Sequence, residues 1–246
     1  KSRSSKKKVS AHTESYPQKS EPILVERIPA EVKAPEFDVD TAQEVVFKPN
    51  PGPQTDFLSA SEREVLYGGA AGGGKSYAML ADPLHGLNDP NFSGLLVRHT
   101  TEELRELIQK SQELYPKAIP NIKWSERKSQ WVSPRGGRLW MSYLDKDMDV
   151  TRYQGQAFNW IGFDELTQWP SPYAWDYMRS RLRSASTELG LYMRATTNPG
   201  GNGHQWVKKM FIDPAPSGKS CARRQARARR AYRACHDREP GRRPVR

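Results

Sequence analysis

The sequence predicts an α/β domain with a central, mainly parallel sheet flanked by helices, and three observations predict it. Short apolar runs that read as buried strands recur at Glu64–Tyr67, Gly94–Arg98, Asn159–Phe163 and Leu191–Ala195. Helical patterns intervene, one from Lys75 to Leu80 or beyond and an amphipathic one from Thr101 to Leu114. A glycine-rich loop, Gly69-Ala70-Ala71-Gly72-Gly73-Gly74-Lys75-Ser76, joins the first strand to the first helix.

Each element has a local reason. Pro49-Asn50-Pro51-Gly52-Pro53 is turn-rich and leads into the domain. Thr100 or Thr101 suits the helix N-cap, and Glu102 and Glu103 suit the positive end of its dipole. Residues 122–144 read as short antiparallel strands turning at Gly136-Gly137. Their Trp124, Trp131 and Trp140 read as packing residues rather than base-stacking platforms. Arg179, Arg181 and Arg183 follow Trp175 and Tyr177, and read either as a solvated face or as a DNA contact.

Composition divides the chain into three parts: a polar, basic arm at 1–45, the α/β domain at 46–217, and an Arg/Ala-rich tail at 218–246. The arm is too poor in apolar residues to bury a core. The net charge is +11, but residues 1–10 carry +5 and residues 218–246 carry +9, which leaves −3 on residues 11–217. The body therefore lacks the overall basic footprint of a DNA-binding domain. The tail reads either as a basic DNA-binding extension or, on its composition, as out-of-frame translation. Both cysteines, Cys221 and Cys235, fall in it, so the body has no disulfide framework. The five histidines show no metal-ligand spacing. No apolar stretch approaches the ~20 residues of a membrane helix, and no secretory signal is present. An intracellular protein without a membrane segment is expected.

The loop fits G-x-x-x-x-G-K-[ST] in full, the P-loop or Walker A pattern, and so predicts a P-loop NTPase that binds ATP and Mg²⁺. Gly69, Gly72, Gly73 and Gly74 let backbone N–H groups turn inward around phosphates without Cβ clashes. Lys75 suits the β- and γ-phosphates, and Ser76 the magnesium. Trp160-Ile161-Gly162-Phe163-Asp164-Glu165 is an apolar strand ending in two carboxylates. Asp164 is expected to support the metal through water, and Glu165 to orient and polarise the attacking water. Thr196-Thr197-Asn198-Pro199 ends another strand, where polar groups either sense the γ-phosphate or make an ordinary turn.

Taken together, these stretches resemble the N-terminal ATPase domain of the large terminase subunit of tailed phages. The resemblance spans about residues 47–217. It rests on Tyr67-Gly68 and the P-loop, Tyr153-Gln154-Gly155-Gln156, Phe163-Asp164-Glu165-Leu166-Thr167-Gln168-Trp169, and Thr196-Thr197-Asn198-Pro199-Gly200-Gly201. It implies an ATPase motor that moves double-stranded DNA into a procapsid in the host cell cytoplasm. The implied partners are a portal protein, a small terminase subunit and further copies in a homo-oligomeric ring. It implies that Gln54 contacts adenine, and that Thr196, Thr197 and Asn198 couple hydrolysis to movement. Arg152 is the candidate arginine finger, with Arg98 as an alternative. The family's C-terminal nuclease domain finds no room after residue 217, so no nuclease activity is expected, as after truncation or frameshift. Two other readings remain open: a helicase-like P-loop motor, and a nucleotide-binding module without turnover.

Overall fold

Inward-facing apolar residues alternate along the strands, and this alternation explains the layering. In β1 (Glu64–Gly68), Val65 and Tyr67 face one core while Leu66 faces another. In β2 (Ser93–Arg98), Leu96 joins the first core and Leu95 and Val97 the second. A strand buried on both faces reads as a continuous apolar run, the signature of a parallel sheet covered by helices on both sides.

The computed structural model describes residues 45–184, 186 and 188–214, and the backbone of 224–225, 228–229 and 232–236. The described residues belong to one compact unit, 44–246. The arm expected at 1–45 lies outside them except for Val45, as does most of the tail expected at 218–246. Within that tail, β8 (Arg224–Gln225) and β9 (Ala228–Arg229) pair antiparallel, and β10 (Tyr232–His236) runs parallel to β1.

The remaining strands are β3 (Lys123–Ser125), β4 (Gln130–Val132), β5 (Arg138–Tyr143), β6 (Trp160–Phe163) and β7 (Tyr192–Thr197). The main sheet has eight strands in the order β10-β1-β7-β6-β2-β5-β4-β3. It is parallel from β10 to β5, and β4 and β3 are antiparallel additions at the edge. β7 thus sits between the strand that feeds the glycine-rich loop and the strand that ends in the two carboxylates. All three meet at one edge of the sheet.

The helices are α1 (Pro53–Leu58), α2 (Lys75–Ala81), α3 (Leu84–Leu87), α4 (Thr101–Ala118), α5 (Tyr173–Arg179) and α6 (His204–Val207). α4 is longer than its expected span of 101–114. Pro116 forfeits one helical hydrogen bond. The last turn persists because Leu114 and Tyr115 are buried and the Tyr115 hydroxyl donates to the Leu80 carbonyl at 3.0 Å. Thr100 is the N-cap, accepting from the Glu103 amide at 3.3 Å.

β7 also outruns its expectation, because Thr196 and Thr197 continue the ladder against Tyr67 and Gly68 instead of forming the turn beyond it. Trp131 is buried between Tyr115 and Trp124 and donates to Ser111 Oγ at 2.9 Å, and Trp140 packs on Phe158. Arg179, Arg181 and Arg183 do not share a helical face. Arg179 ends α5 and pairs with Glu64 at 2.7 Å, Arg181 lies over the Tyr177 ring, and Arg183 donates to the Gly155 and Gln156 carbonyls.

Candidate active site

The glycine-rich loop leaves a fully buried strand and must reverse into α2 within a few residues. Gly72 and Gly74 take φ values of +87° and +71°, where residues with a Cβ are disfavoured. At Gly74 the constraint is also spatial, since a Cβ would come within 2.6 Å of the Gln54 amide nitrogen. That nitrogen donates to the Gly74 carbonyl at 2.9 Å, while Gln54 Oε1 accepts from the Asn50 amide at 2.6 Å. Both ends of the Gln54 amide are therefore engaged within the chain. Across the loop, the Tyr67 hydroxyl donates to the Gly73 carbonyl at 2.7 Å.

The Lys75 ammonium is buried and folds back on its own loop, donating to the carbonyls of Gly69 at 3.1 Å and Ala70 at 2.6 Å. Gly69 opens the loop and donates its amide to the Thr197 carbonyl at 3.3 Å, which fastens the loop to β7. Ser76 sits half-buried in the first turn of α2.

Asp164 and Glu165 follow β6. Asp164 is fully buried, and its carboxylate faces Arg98 Nε at 3.3 Å and accepts from the Thr196 hydroxyl. Burial pushes its carboxyl above the ordinary range, against the opposing pull of Arg98 and of the Thr196 hydrogen bond. Glu165 occupies the left-handed region at φ +62° and ψ +54°, a conformation costing about 1 kcal/mol or more for a residue with a Cβ. It is held there from both sides. Its amide donates to the Thr196 hydroxyl at 3.0 Å, and its carboxylate accepts from Asn198 Nδ2 at 2.8 Å and the Asn198 amide at 3.1 Å. Burial raises the Glu165 carboxyl, and the negative charge of Asp164 raises it further.

One threonine hydroxyl therefore bridges both acids, and the neighbouring Thr197 bonds Thr167 Oγ1 at 2.8 Å. The strand-ending Thr196-Thr197-Asn198 is built into the acidic pair and is more than an ordinary turn. Arg152 stands apart. Its side chain is 42% exposed and binds Asp149 at 3.4 Å and the Asp149 carbonyl at 3.1 Å, over the Tyr143 ring. Arg98, its alternative, is buried in the site as the partner of Asp164, which does not suit a residue that must reach a neighbouring molecule. Sequence reading missed the Tyr67 brace on the loop and the pair formed by Gln168 Nε2 and Glu103 Oε1 at 2.7 Å. Gln168 lies in the Asp-Glu-Leu-Thr-Gln-Trp stretch, but nothing in the spacing points to Glu103.

Fold and site geometry together define a P-loop NTPase fold with an acidic pair at the sheet edge. The sequence matches the family described as "Terminase large subunit, T4likevirus-type, N-terminal" over residues 66–238, and the chain belongs to that family. No curated protein matches it by sequence. Among solved structures, the large terminase ATPase domain of Thermus phage P74-26 is similar at 12% identity, with a TM-score of 0.56, covering 77% of this chain and 81% of that one. The full-length large terminase of another phage, a thermophilic bacteriophage, is similar at 15% identity, with a TM-score of 0.57, covering 77% of this chain and 46% of that one. That same thermophilic phage protein in complex with ADP is similar at 15% identity, with a TM-score of 0.54, covering 75% and 44%. At these identities the likeness establishes the shared fold. Among the described residues, no helix is long and apolar enough to cross a membrane.

Proposed function

We propose that this chain hydrolyses ATP at the edge of its sheet and couples hydrolysis to translocation of double-stranded DNA into a procapsid. The observation that carries this reading is a complete P-loop facing two adjacent buried carboxylates, both bridged by Thr196. Membership of the terminase large-subunit family supports the packaging role.

The residues fit a magnesium nucleotide. Asp164 Oδ2 is buried without a hydrogen-bond partner among the described residues, and the Lys75 ammonium is already buried at the loop. Ser76 and Asp164 would hold Mg²⁺, which when bound neutralises charge on the phosphate oxygens. Lys75 exchanges the Gly69 and Ala70 carbonyls for the β- and γ-phosphates, and the amides of Gly72, Gly73 and Gly74 cradle them. Glu165, aimed by Asn198, orients a water molecule and takes its proton as that water attacks the terminal phosphorus. A carboxyl raised by burial is better matched to that task than a solvated one. Thr197 and Asn198 connect the loop and Glu165 to β7, which gives a path from phosphate to movement. Gln54 borders the base from its anchor on Gly74. Arg152, exposed and away from its own loop, serves as a finger toward a neighbouring subunit's nucleotide in a ring. The portal protein and the small subunit are the remaining partners of the assembly.

Steady-state ATP hydrolysis with and without double-stranded DNA tests this, with Glu165→Ala as control. The expected result is DNA-stimulated turnover that falls about 100-fold or more in the variant while ADP binding persists. Failure of the intact protein to hydrolyse ATP in any assembly would overturn it. Strand separation without procapsid association would point instead to a helicase-like motor.

A further inference from the structure

Arg98 is buried at the end of β2, and its surroundings are unusual for a buried guanidinium. Its contact is Nε to Asp164 Oδ2 at 3.3 Å. Neither Nε nor Nη1 has a hydrogen-bond partner among the described residues, and neither does Asp164 Oδ2. A settled buried pair has its remaining protons and lone pairs satisfied. This one does not.

Three further acids feel the same charge. Arg98 acts electrostatically on Glu165, and on Glu103 and Glu106 in the first turns of α4. Glu103 has one oxygen committed to Gln168 Nε2, while its Oε2 is buried without a partner. One arginine with unpaired donors thus lies between an acid it pairs with loosely, at the end of β6, and an acid with a free oxygen on α4. The cations that act on Asp164 and Glu165 from other elements are Lys75 and, for Asp164, Lys110.

We propose that Arg98 is a positioning residue, a resident counter-ion that holds the metal's place on Asp164 and passes to Glu103 when a magnesium nucleotide binds. The inference rests on the reading of Asp164 given above. The logic is electrostatic: a divalent cation and a guanidinium compete for one carboxylate oxygen, and a buried guanidinium needs another anion when displaced. Glu103 is that anion, and the transfer ties the nucleotide state to the first turn of α4. Because Gln168 follows the acidic pair by three residues and holds Glu103, the acceptor is already positioned from the same loop.

The test is the affinity of the full chain for ADP with and without Mg²⁺, read as the ratio of the two dissociation constants. Arg98→Gln removes the competitor, so the gain in affinity from magnesium should rise about fivefold. Glu103→Gln removes the acceptor, so that gain should fall by a similar factor. Glu103 lies at the start of a helix, and this variant retains the bond from Gln168 by amide rotation, so it serves if Arg98→Gln does not fold. A simple structural role would move both constants together and leave the ratio unchanged. An unchanged ratio in Glu103→Gln would overturn the inference. Absence of any magnesium-dependent ADP binding in the wild-type chain would instead overturn the assignment of the site itself.

Discussion

Two arginine–carboxylate pairs are buried in this domain, Arg98–Asp164 at the loop edge of the sheet and Arg194–Asp82 toward its other edge, and they are finished very differently. The separations are similar, 3.3 Å and 3.4 Å. Arg194 donates to the carbonyls of Ala60 at 2.7 Å, Glu62 at 3.0 Å and Met193 at 3.2 Å, and its guanidinium lies over the rings of Tyr192 and Phe57. Asp82 accepts from Trp160 Nε1 at 2.6 Å. Around Arg98 the donors and the facing oxygen are left over. Identical chemistry thus serves two ends: one pair is saturated and clamps α2, β1 and β7 together, while the other keeps bonding capacity for something that arrives.

The largest effect expected from this contrast is on stability. Arg194→Ala leaves a buried carboxylate and several carbonyls unpaired and should cost about 3–5 kcal/mol. Arg98→Ala loses one loose contact and should cost clearly less. Urea denaturation of both variants measures the difference. Equal losses would show that the two pairs are energetically alike and break the comparison.

The next effect concerns pH. Burial raises the carboxyls of both Asp164 and Asp82 above their ordinary value of 3.8. The folded chain therefore binds protons more tightly at these sites than the unfolded chain does. The sign follows: their favourable contribution is complete below the unfolded value and is lost as pH rises through the raised folded value. Asp164→Asn should remove its share of that loss, so the variant gains on the wild type as pH rises from about 4 toward neutrality. Asp82→Asn should gain less, since it gives up the saturated partnership with Arg194. Denaturant midpoints across this range decide the point, and parallel curves for wild type and Asp164→Asn would contradict it.

The comparison also explains what could be read from sequence. The strands, the loop, and Asp164-Glu165 at a strand end were legible because each is a local pattern: an apolar run, a glycine spacing, two adjacent acids. The end of α4 was not, because Pro116 argues against it locally and only the burial of Tyr115 overrides that. Nor was the end of β7, where Thr196 and Thr197 look like a turn until their pairing with β1 is known. Arg98 could be seen at the end of a strand, but its partner lies across the sheet on β6. Which carboxylate an arginine meets is set by strand order, and strand order is not written in any one segment.

The smallest effect separates support from contact at the loop. Gln54 resembles Arg194 in being saturated, with one amide end on Gly74 and the other on Asn50. A group spent this way shapes the loop and has little left to read a base. Gln54→Ala should therefore weaken ADP and GDP binding alike, by about fivefold, the equivalent of one ordinary hydrogen bond. If Gln54 instead released Gly74 to read adenine, the loss would fall on ADP alone and the preference over GDP would shrink. Titration of both nucleotides into wild type and variant distinguishes the two, because an anchor acts through phosphates that ADP and GDP share, whereas a base contact acts through the ring in which they differ.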